Sequence, residues 1–160
     1  MAIYRRCGYT ISQVFDMIES MKLEDVKAVF QLHQQELRAN WSLMLYKQEL
    51  LDLNTRAYVY KQDDKVVGFI IAKYIGVTSD LLQIAVDKKY QKQKIGYNLL
   101  DYVWKELVHE GVEEMILEVR AKHTDVITFY ERFGFKTLYA RKNYYGPRRD
   151  ALVMRKQVNA

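Results

Sequence analysis

The chain has 160 residues, of which 49% are hydrophobic and 13% aromatic, which is enough to fill one hydrophobic core. Its 28% of charged residues and single proline exclude a low-complexity, collagen-like or disordered protein. The formal net charge of +5 favours an acidic partner, but charge alone does not choose between a nucleic acid, a ribosome surface and a phosphorylated cofactor.

The lengths of the apolar runs, and the number and spacing of the cysteine and histidine residues, exclude further classes of protein. The longest apolar stretches are strand-length, far below the roughly 20 residues of a membrane helix, and no apolar run follows the charged N-terminus. We therefore expect a cytoplasmic protein with neither a membrane span nor a secretory signal. Cys7 is the only cysteine, which excludes an internal disulfide and a thiolate cage. Because His33, His109 and His123 lie far apart in the sequence, we predict no metal site.

The first half of the chain predicts one strand, two helices and an antiparallel hairpin after a short N-terminal extension. In chain order these are the extension 1–13, a strand over Val14–Met21, helices over Leu23–Leu37 and Trp41–Leu51, and hairpin strands over Arg56–Lys61 and Lys65–Ile75. The helices are predicted from apolar residues at helical spacing. The hairpin is predicted because its two β-rich runs flank Gln62-Asp63-Asp64, a polar sequence suited to a tight reversal.

The second half predicts alternating strands and helices. In chain order these are a strand over Leu81–Val86, a helix over Ile95–Val108, a strand over Met115–Val119, a helix over Asp125–Arg132, and strands over Lys136–Arg141 and Ala151–Lys156. The first of them is a near-continuous apolar run, which predicts a central strand buried on both faces. Strand, helix and strand in succession imply a parallel crossover. We therefore predict an α/β fold in a single domain over residues 1–160, with a mixed central β-sheet flanked by helices.

The segment from Ile84 to Asn98 carries the strongest functional signal. An apolar strand passes through a basic polar loop into the N-terminus of a long helix. The first turn of a helix has backbone N–H groups without intrahelical partners and a partial positive charge, and both stabilise a bound phosphate. Four lysines add positive charge around this turn: Lys88, Lys89, Lys92 and Lys94. The pattern is typical of a pyrophosphate site, although a lysine-rich loop before a helix is also typical of a solvated turn.

This segment resembles the acetyl-CoA loop of GNAT acetyltransferases, in which a strand is followed by Gln or Arg, two residues, Gly, one residue, and Gly or Ala. Here it reads Gln91-Lys92-Gln93-Lys94-Ile95-Gly96, with Lys94 in place of the first glycine. Four later runs resemble, in the same order, the protein N-terminal and ribosomal-protein acetyltransferases of that family: Leu117–Ala121, Phe129–Phe135, Arg141–Tyr145 and Asp150–Met154. The resemblance runs from about Met21 to Lys156.

The resemblance implies the GNAT fold and an acetyl-CoA-dependent enzyme that acetylates the α-amino group of a protein or peptide N-terminus. The ribosome or a ribosomal protein is then a candidate partner. Acetylation of lysine side chains or of small-molecule amines is the alternative, because one scaffold serves many acceptors. A basic module that binds nucleic acid and retains a vestigial cofactor site is a second alternative, since basic charge by itself is non-specific.

The resemblance also implies two catalytic residues. Acetyl transfer needs a neutral amine, and Glu118 matches the residue that acts as base, directly or through water. A strand carboxylate is also typical of a structural pair with Arg120 or a lysine. Tyr130 matches the tyrosine that protonates the leaving thiolate, although a chain with 13 tyrosines uses most of them for packing.

The cofactor-binding residues implied by the resemblance belong to the strand, the loop and the first helical turn. They are Ile84, Ala85, Val86, Gln91, Lys92, Gln93, Lys94, Ile95, Gly96 and Tyr97. Ile84 and Val86 would offer backbone groups to the pantetheine arm, as a sheet edge does to an added strand. His123 stands where relatives carry an asparagine that contacts the cofactor, and an imidazole can also donate and accept. An exposed loop histidine is the alternative.

Four residues are implied in peptide binding. Ala39 and Trp41 lie in the loop after the first helix, and Tyr144 and Tyr145 match paired tyrosines that cover the peptide backbone. Some relatives that prefer small or acidic first residues carry a glutamate where Ala39 stands. The absence of a glutamate at this position favours apolar peptides that begin with methionine.

Overall fold

The structure is a computed structural model that describes residues 3–4, 9–10, 13, 17–37 and 39–159. Most of the predicted extension 1–13 lies outside the described residues, as do residues 14–16 of the first predicted strand. Two short strands near the N-terminus, β1 (Ile3–Tyr4) and β2 (Tyr9–Thr10), pair antiparallel.

The main sheet has seven strands in the described part of the chain, accompanied by four α-helices. The strands are β3 (Ile18–Ser20), β4 (Thr55–Gln62), β5 (Lys65–Ile75), β6 (Thr78–Val86), β7 (Glu114–Arg120), β8 (Lys136–Arg141) and β9 (Ala151–Gln157). The helices are α1 (Val26–Glu36), α2 (Leu43–Leu50), α3 (Ile95–His109) and α4 (Thr124–Phe133). Short 3-10 turns cover Leu23–Asp25 and Lys88–Tyr90.

The strand order is β3-β4-β5-β6-β7-β9-β8, which makes β6 the central strand as predicted. The pairs β3–β4, β4–β5, β7–β9 and β8–β9 are antiparallel, whereas β6 and β7 are parallel. Because a tight turn cannot join parallel strands, the chain passes from β6 to β7 through α3. The predicted mixed sheet and parallel crossover are confirmed.

The prediction that the central strand is buried on both faces is wrong for most of its length. Within β6 only Ser79 and Ala85 are buried, and residues 81–84 are half-buried. β6 pairs with β7 from Thr78 to Asp80 and extends six residues beyond the last pair. An apolar run therefore indicates that a strand prefers non-aqueous surroundings, but it does not show how much of the strand the protein itself covers.

Local sequence explains several turns and helix ends. Asp63 and Asp64 have φ values of 50° and 62°, the left-handed backbone of a two-residue hairpin turn, which aspartate tolerates. The Leu45 N–H donates to Ser42 Oγ at 3.1 Å, so this serine caps the start of α2. Gly134 ends α4 at a φ of 111°. The predicted hairpin turn is confirmed, and the helix predicted over Asp125–Arg132 spans Thr124–Phe133.

The chain divides into two compact units. The first comprises Met1–Lys73 and Leu82–Glu106, and the second comprises Tyr74–Leu81 and Leu107–Ala160. In the first unit a buried cluster unites α1 and α2 with the hairpin strands: Met21, Val26, Val29, Leu32, Tyr46, Ala57, Val59, Phe69, Ile71 and Ala85. In the second, the buried side chains include Met115, Leu117, Val119, Phe133, Phe135 and Met154. A single acetyltransferase domain over residues 1–160 stays a prediction.

Within the first unit, α3 begins close to β5 at Gly68. A Cβ atom at this position would meet Ile95 Cγ2 at 3.1 Å, Leu99 Cδ1 at 3.2 Å and the Ala85 carbonyl oxygen at 3.3 Å. Any side chain here would require these neighbours to shift. Gly68 therefore determines how closely the first turn of α3 packs on the sheet, and with it the position of the loop that precedes this turn.

Candidate functional site

The predicted phosphate loop lies between β6 and α3, in the first unit. Lys92 and Lys94 both have a φ of 63°, in the left-handed region. The Asn98 N–H donates to the Lys94 carbonyl oxygen at 2.9 Å, which begins the hydrogen-bond ladder of α3. The N–H groups of Ile95 and Gly96 precede this bond and need partners outside the helix. A turn with left-handed residues followed by a helix N-terminus is typical of an anion site.

The conformation of Lys94 explains why the resembling loops have glycine at this position. A left-handed backbone costs a residue with a Cβ about 1–2 kcal/mol, whereas glycine adopts it freely. At position 94 the loop therefore has the left-handed backbone conformation that favours glycine, but the residue is a lysine with an exposed side chain.

Gln91 and Glu36 connect the start of this loop to the end of α1. Gln91 Nε2 donates to the Val86 carbonyl oxygen at 3.0 Å and to Glu36 Oε2 at 3.4 Å. The other carboxylate oxygen of Glu36 accepts from the Lys88 N–H at 3.2 Å. Glu36 was not predicted, and no local signal in the sequence indicates it, because its partners are 52 and 55 residues away along the chain.

The end of β6 places backbone groups at the edge opposite β5. The Asp87 N–H donates to the Val67 carbonyl oxygen of β5 at 2.8 Å. Successive residues of a strand direct their N–H and C=O groups to opposite edges, so Val86 and Ile84 direct theirs away from β5. This arrangement suits the predicted role of Ile84 and Val86, which stays a prediction. Ala85, between them, is a core residue with 6% exposure.

A buried histidine–tyrosine pair holds the loop after α1. His33 and Tyr46 are 3% and 0% exposed, and Tyr46 Oη lies 2.6 Å from His33 Nδ1. His33 Nε2 lies 2.8 Å from the Ala39 carbonyl oxygen, which only accepts, so Nε2 carries the proton and Nδ1 accepts from the tyrosine hydroxyl. Trp41 packs against Tyr46 with ring centroids 4.8 Å apart. Tyr46 and His33 thus fix both of the predicted peptide-binding residues of this loop.

The second unit carries the other predicted residues on one face of β7, β9 and β8. Residues in register on neighbouring strands share a face of the sheet. Two cross-strand rows lie side by side here: Glu118–Val153–Tyr139 and Arg120–Ala151–Arg141. The small or buried residues of β9 separate the long polar side chains of β7 and β8, which meet above them.

Glu118 is paired with Arg141. Its Oε1 lies 2.9 Å from Arg141 Nη1, and its side chain is 30% exposed. The interpretation of Glu118 as a structural carboxylate predicted an ion pair with Arg120 or a lysine. That predicted partner is wrong, because the carboxylate pairs with Arg141. The pairing joins neighbouring rows of the sheet, and only the register of β7, β9 and β8 brings these rows together. The Arg141 guanidinium also lies 5.0 Å from the centre of the Tyr144 ring. Burial, together with the negative charge of Glu118, raises the pKa of the Tyr145 phenol.

The loop between β8 and β9 presents the paired tyrosines in a fixed shape. The Tyr144 and Tyr145 rings meet edge to face with centroids 5.1 Å apart and are 50% and 40% exposed. Asp150 Oδ1 accepts from the Asn143 N–H at 2.8 Å, and Asn143 Oδ1 accepts from the Arg148 N–H at 2.8 Å. Hydrogen bonds within the loop therefore hold two exposed aromatic rings beside the Glu118–Arg141 pair.

Tyr130 lies in the core of the second unit. It is 6% exposed on α4, with ring centroids 5.2 Å from Phe129 and 5.6 Å from Phe135. Burial raises the pKa of the Tyr130 phenol well above its ordinary value of about 10, so the hydroxyl keeps its proton at physiological pH. It can therefore serve as a proton donor. His123 is exposed at the start of α4, and its predicted contact with the cofactor stays a prediction.

No group of three or more His, Cys, Asp or Glu side chains that could hold a metal ion occurs among the residues that the structure describes. No helix in this part of the chain has the length and apolarity to cross a membrane.

A sequence model of the acetyltransferase (GNAT) family matches residues 17–135. The chain therefore belongs to the GNAT family and is an acetyl-CoA-dependent acyltransferase. The predicted fold class, a mixed sheet flanked by helices in the GNAT arrangement, is confirmed.

Two similar proteins act on protein N-termini according to their names. The ribosomal protein bS18-alanine N-acetyltransferase of Escherichia coli (strain K12) is 31% identical over 140 residues, which cover 86% of this chain and 94% of that protein. The N-alpha-acetyltransferase of Sulfurisphaera tokodaii is 27% identical over 150 residues, covering 86% and 90%. The crystal structure of the ribosomal-protein-S18-alanine N-acetyltransferase from Escherichia coli matches with a TM-score of 0.83 at 30% identity, covering 89% of this chain and 94% of that one.

Proposed function

We propose that this protein is a cytoplasmic enzyme that transfers the acetyl group of acetyl-CoA to the α-amino group of a protein N-terminus, with a ribosomal protein as the first candidate substrate. One observation carries the proposal: a carboxylate, Glu118, lies beside two exposed tyrosines in a loop of fixed shape. The bS18-alanine N-acetyltransferase and the archaeal N-alpha-acetyltransferase, which resemble this chain over 86% of its length, support the choice of acceptor.

The loop before α3 has the donors that the pyrophosphate of acetyl-CoA requires. Lys92 and Lys94 supply positive charge, and the N–H groups of Ile95 and Gly96 supply donors at a helix N-terminus. The backbone groups of Val86 and its neighbours at the end of β6 would hold the pantetheine arm. Acetyl-CoA supplies the acetyl group as a thioester.

The proposed mechanism forms one C–N bond, breaks the C–S bond of the thioester and moves three protons. An α-amino group has a pKa of about 8, so at neutral pH most acceptor molecules are ammonium ions and must lose a proton before attack. Glu118 accepts that proton, directly or through a water molecule, and Arg141 holds its carboxylate in place. The free amine nitrogen bonds to the acetyl carbon and the C–S bond of the thioester breaks. Tyr130 Oη donates its proton to the departing sulfur and regains one from the nitrogen, which loses its second proton, directly or through water, as it becomes the amide. Tyr144 and Tyr145 cover the backbone of the acceptor peptide.

The proposal is tested by measuring CoA release from acetyl-CoA with short peptides that differ in the first residue. The set includes Met-first peptides, because Ala39 in place of a glutamate favours them, and Ala-first peptides, because the similar enzyme is named for the alanine of bS18. Peptides with a blocked N-terminus and a free lysine, and a polyamine, form the second arm. Turnover restricted to free N-termini supports the proposal. Turnover restricted to the second arm assigns the enzyme to the lysine or small-amine class, and no turnover with any amine overturns the proposal.

Replacing Lys94 by glycine is expected to have opposite effects on stability and on cofactor binding. The free energy of unfolding should rise by about 1 kcal/mol, because glycine adopts the left-handed backbone without strain. Acetyl-CoA should bind several-fold more weakly, because the variant loses a positive charge beside the phosphates. Thermal unfolding and calorimetric titration measure the two effects separately.

The matched control is Lys94→Asn, which also tolerates the left-handed backbone but carries no charge. It should bind acetyl-CoA as weakly as the glycine variant. Wild-type affinity in both variants would show that the ammonium group makes no contact with the cofactor.

Removing the hydroxyl of Tyr46 is expected to loosen the loop after α1. In Tyr46→Phe the buried Nδ1 of His33 loses its donor, which should cost about 1–3 kcal/mol of unfolding free energy. The peptide KM should rise, because His33, which binds the Ala39 carbonyl oxygen, is no longer held by the tyrosine hydroxyl. The affinity for acetyl-CoA should remain that of the wild type. Tyr102→Phe, at a half-buried tyrosine of α3, is the control. A peptide KM that matches the wild type would remove the loop from peptide binding.

A further inference from the structure

The positive charge of this chain is concentrated in one hairpin. Residues 136–157, which form β8, the following loop and β9, contain seven Lys or Arg residues and one Asp, a net charge of +6. The remaining 18 basic and 19 acidic residues give −1, so the hairpin accounts for the whole net charge of +5. The basic isoelectric point is therefore a local property of the hairpin that presents the paired tyrosines.

Three cations of the loop are available to a partner, and Lys136 of β8 is exposed as well. Some of the seven have internal partners: Arg141 pairs with Glu118, and Arg155 lies 3.8 Å from Glu114. Lys142, Arg148 and Arg149 lie in the loop, are exposed, and have no ion-pair partner among the residues that the structure describes. The three flank Tyr144 and Tyr145 in the sequence. We call these three residues the loop cations.

Arg148 has a backbone conformation that glycine or asparagine adopts more readily than arginine. Its φ is 60°, in the left-handed region, where a long side chain is strained and glycine or asparagine is not. Its N–H is held by Asn143 Oδ1, so the backbone conformation is imposed by the loop. The guanidinium group forms no hydrogen bond or ion pair within the described part of the chain that would compensate for this strain. A strained residue with an exposed charge in a fixed loop indicates a role in binding rather than in folding.

We propose that the loop cations bind carboxylate side chains of the acceptor protein, a few residues after the N-terminus that is acetylated. This inference rests on the proposed function, which places the acceptor backbone against Tyr144 and Tyr145. An extended chain advances about 3.3 Å per residue, so the acceptor residues after those held by the tyrosines continue along the loop, and positions 3 to 6 are the first candidates to test. A nucleic acid is the weaker candidate, because such partners use about six to ten phosphate contacts and one loop offers three cations.

The test compares octapeptides that share their first two residues and carry Glu, Gln or Lys at positions 3–4 or 5–6. We expect kcat/KM for the best Glu peptide to exceed that of its Gln counterpart about tenfold at low salt, and the advantage to shrink as salt screens the charges. In the double variant R148N/R149Q the advantage should fall to about twofold or less. Because asparagine accepts the left-handed backbone, this variant should remain folded, with a melting temperature equal to or above that of the wild type.

Lys27→Gln, at an exposed lysine of α1 in the first unit, is the matched control for loss of a positive charge and should keep the full preference. Calorimetric titration of the same peptides in the presence of CoA measures the preference without turnover. Equal values for Glu and Gln peptides, a preference that survives in R148N/R149Q, or a short RNA that binds through these arginines while the peptides are not distinguished, would each overturn the inference. Failure to acetylate any peptide would overturn the proposed function instead, and the titrations would still decide the preference of the loop.

Discussion

Glu118→Gln is expected to lower kcat for N-terminal acetylation by roughly 10²- to 10⁴-fold, the range for loss of a general base. Glutamine has nearly the same shape, but its amide cannot accept the ammonium proton. Acetyl-CoA binding should be unchanged, because the proposed cofactor contacts lie in the loop before α3. The fold should tolerate the change, since the Glu118–Arg141 pair is partly exposed to solvent and such pairs contribute little to stability.

The loss of rate in Glu118→Gln, relative to the wild type, should become smaller as the pH rises. Below about pH 8 the acceptor is mainly an ammonium ion, and above it mainly a free amine. The variant should therefore gain about tenfold in rate per pH unit up to the pKa of the acceptor and then level off. Consequently, the difference from the wild type should be largest in acidic and neutral solution and smallest near pH 9. Steady-state kinetics with one peptide across this range measure the effect.

Glu114→Gln provides a closely matched control. Glu114 lies on the same face of β7 and its carboxylate is near Arg155 of β9, so both variants weaken a cross-strand ion pair and remove one negative charge. Only Glu118→Gln should lose turnover. A rise in peptide KM with kcat preserved would show instead that Glu118 binds the ammonium group and that another group removes the proton.

Tyr130→Phe is expected to lower kcat by about 10²-fold, because the departing sulfur loses its proton donor. The phenylalanine ring can keep the packing against Phe129 and Phe135, so the free energy of unfolding should change by no more than about 1 kcal/mol. Since burial raises the pKa of Tyr130, the phenol stays protonated, and the pH profile of the wild type should show no loss of activity from its ionisation up to pH 10.

Single-turnover measurements at saturating acetyl-CoA separate this role from a packing role. Tyr102→Phe, on α3, controls for the general effect of losing a tyrosine hydroxyl and should leave the single-turnover rate unchanged. If Tyr130→Phe raises only the KM for acetyl-CoA and leaves the single-turnover rate intact, the hydroxyl assists binding and the proton reaches the sulfur from elsewhere.

Local signals in the sequence were enough to predict most of the fold. The paired aspartates of the hairpin turn and Gly134 at the end of α4 have backbone requirements that few residue types meet, so their positions are readable without tertiary information. The apolar stripe of α3 and the crossover to β7 are similarly local. Burial of β6 was predicted wrongly, because an apolar strand has the same sequence whether protein covers it fully or in part.

The candidate site was predictable only where a motif carries it. The loop before α3 and the tyrosine pair follow from short runs that resemble a known family. The residues that hold the site together were not predictable. Glu36 reaches its partners across more than 50 residues, and Arg141 meets Glu118 only through the register of three strands. For His33 the sequence predicted only that it takes no part in a metal site, and its hydrogen bonds to Tyr46 and Ala39 depend on how two helices meet.

β8 is the last strand in the order of the sheet, and its residues 136–140 are all exposed, among them Leu138 and Tyr139. An outermost strand with apolar side chains readily pairs with the same strand of another molecule. Two such hairpins, each with a charge of +6, repel each other strongly in dilute buffer. At 1 M salt the screening length falls to about 3 Å and this repulsion is lost. The cations of the hairpin thus act as a colloidal stabiliser, and low ionic strength is the condition in which the protein should stay monodisperse during concentration and storage.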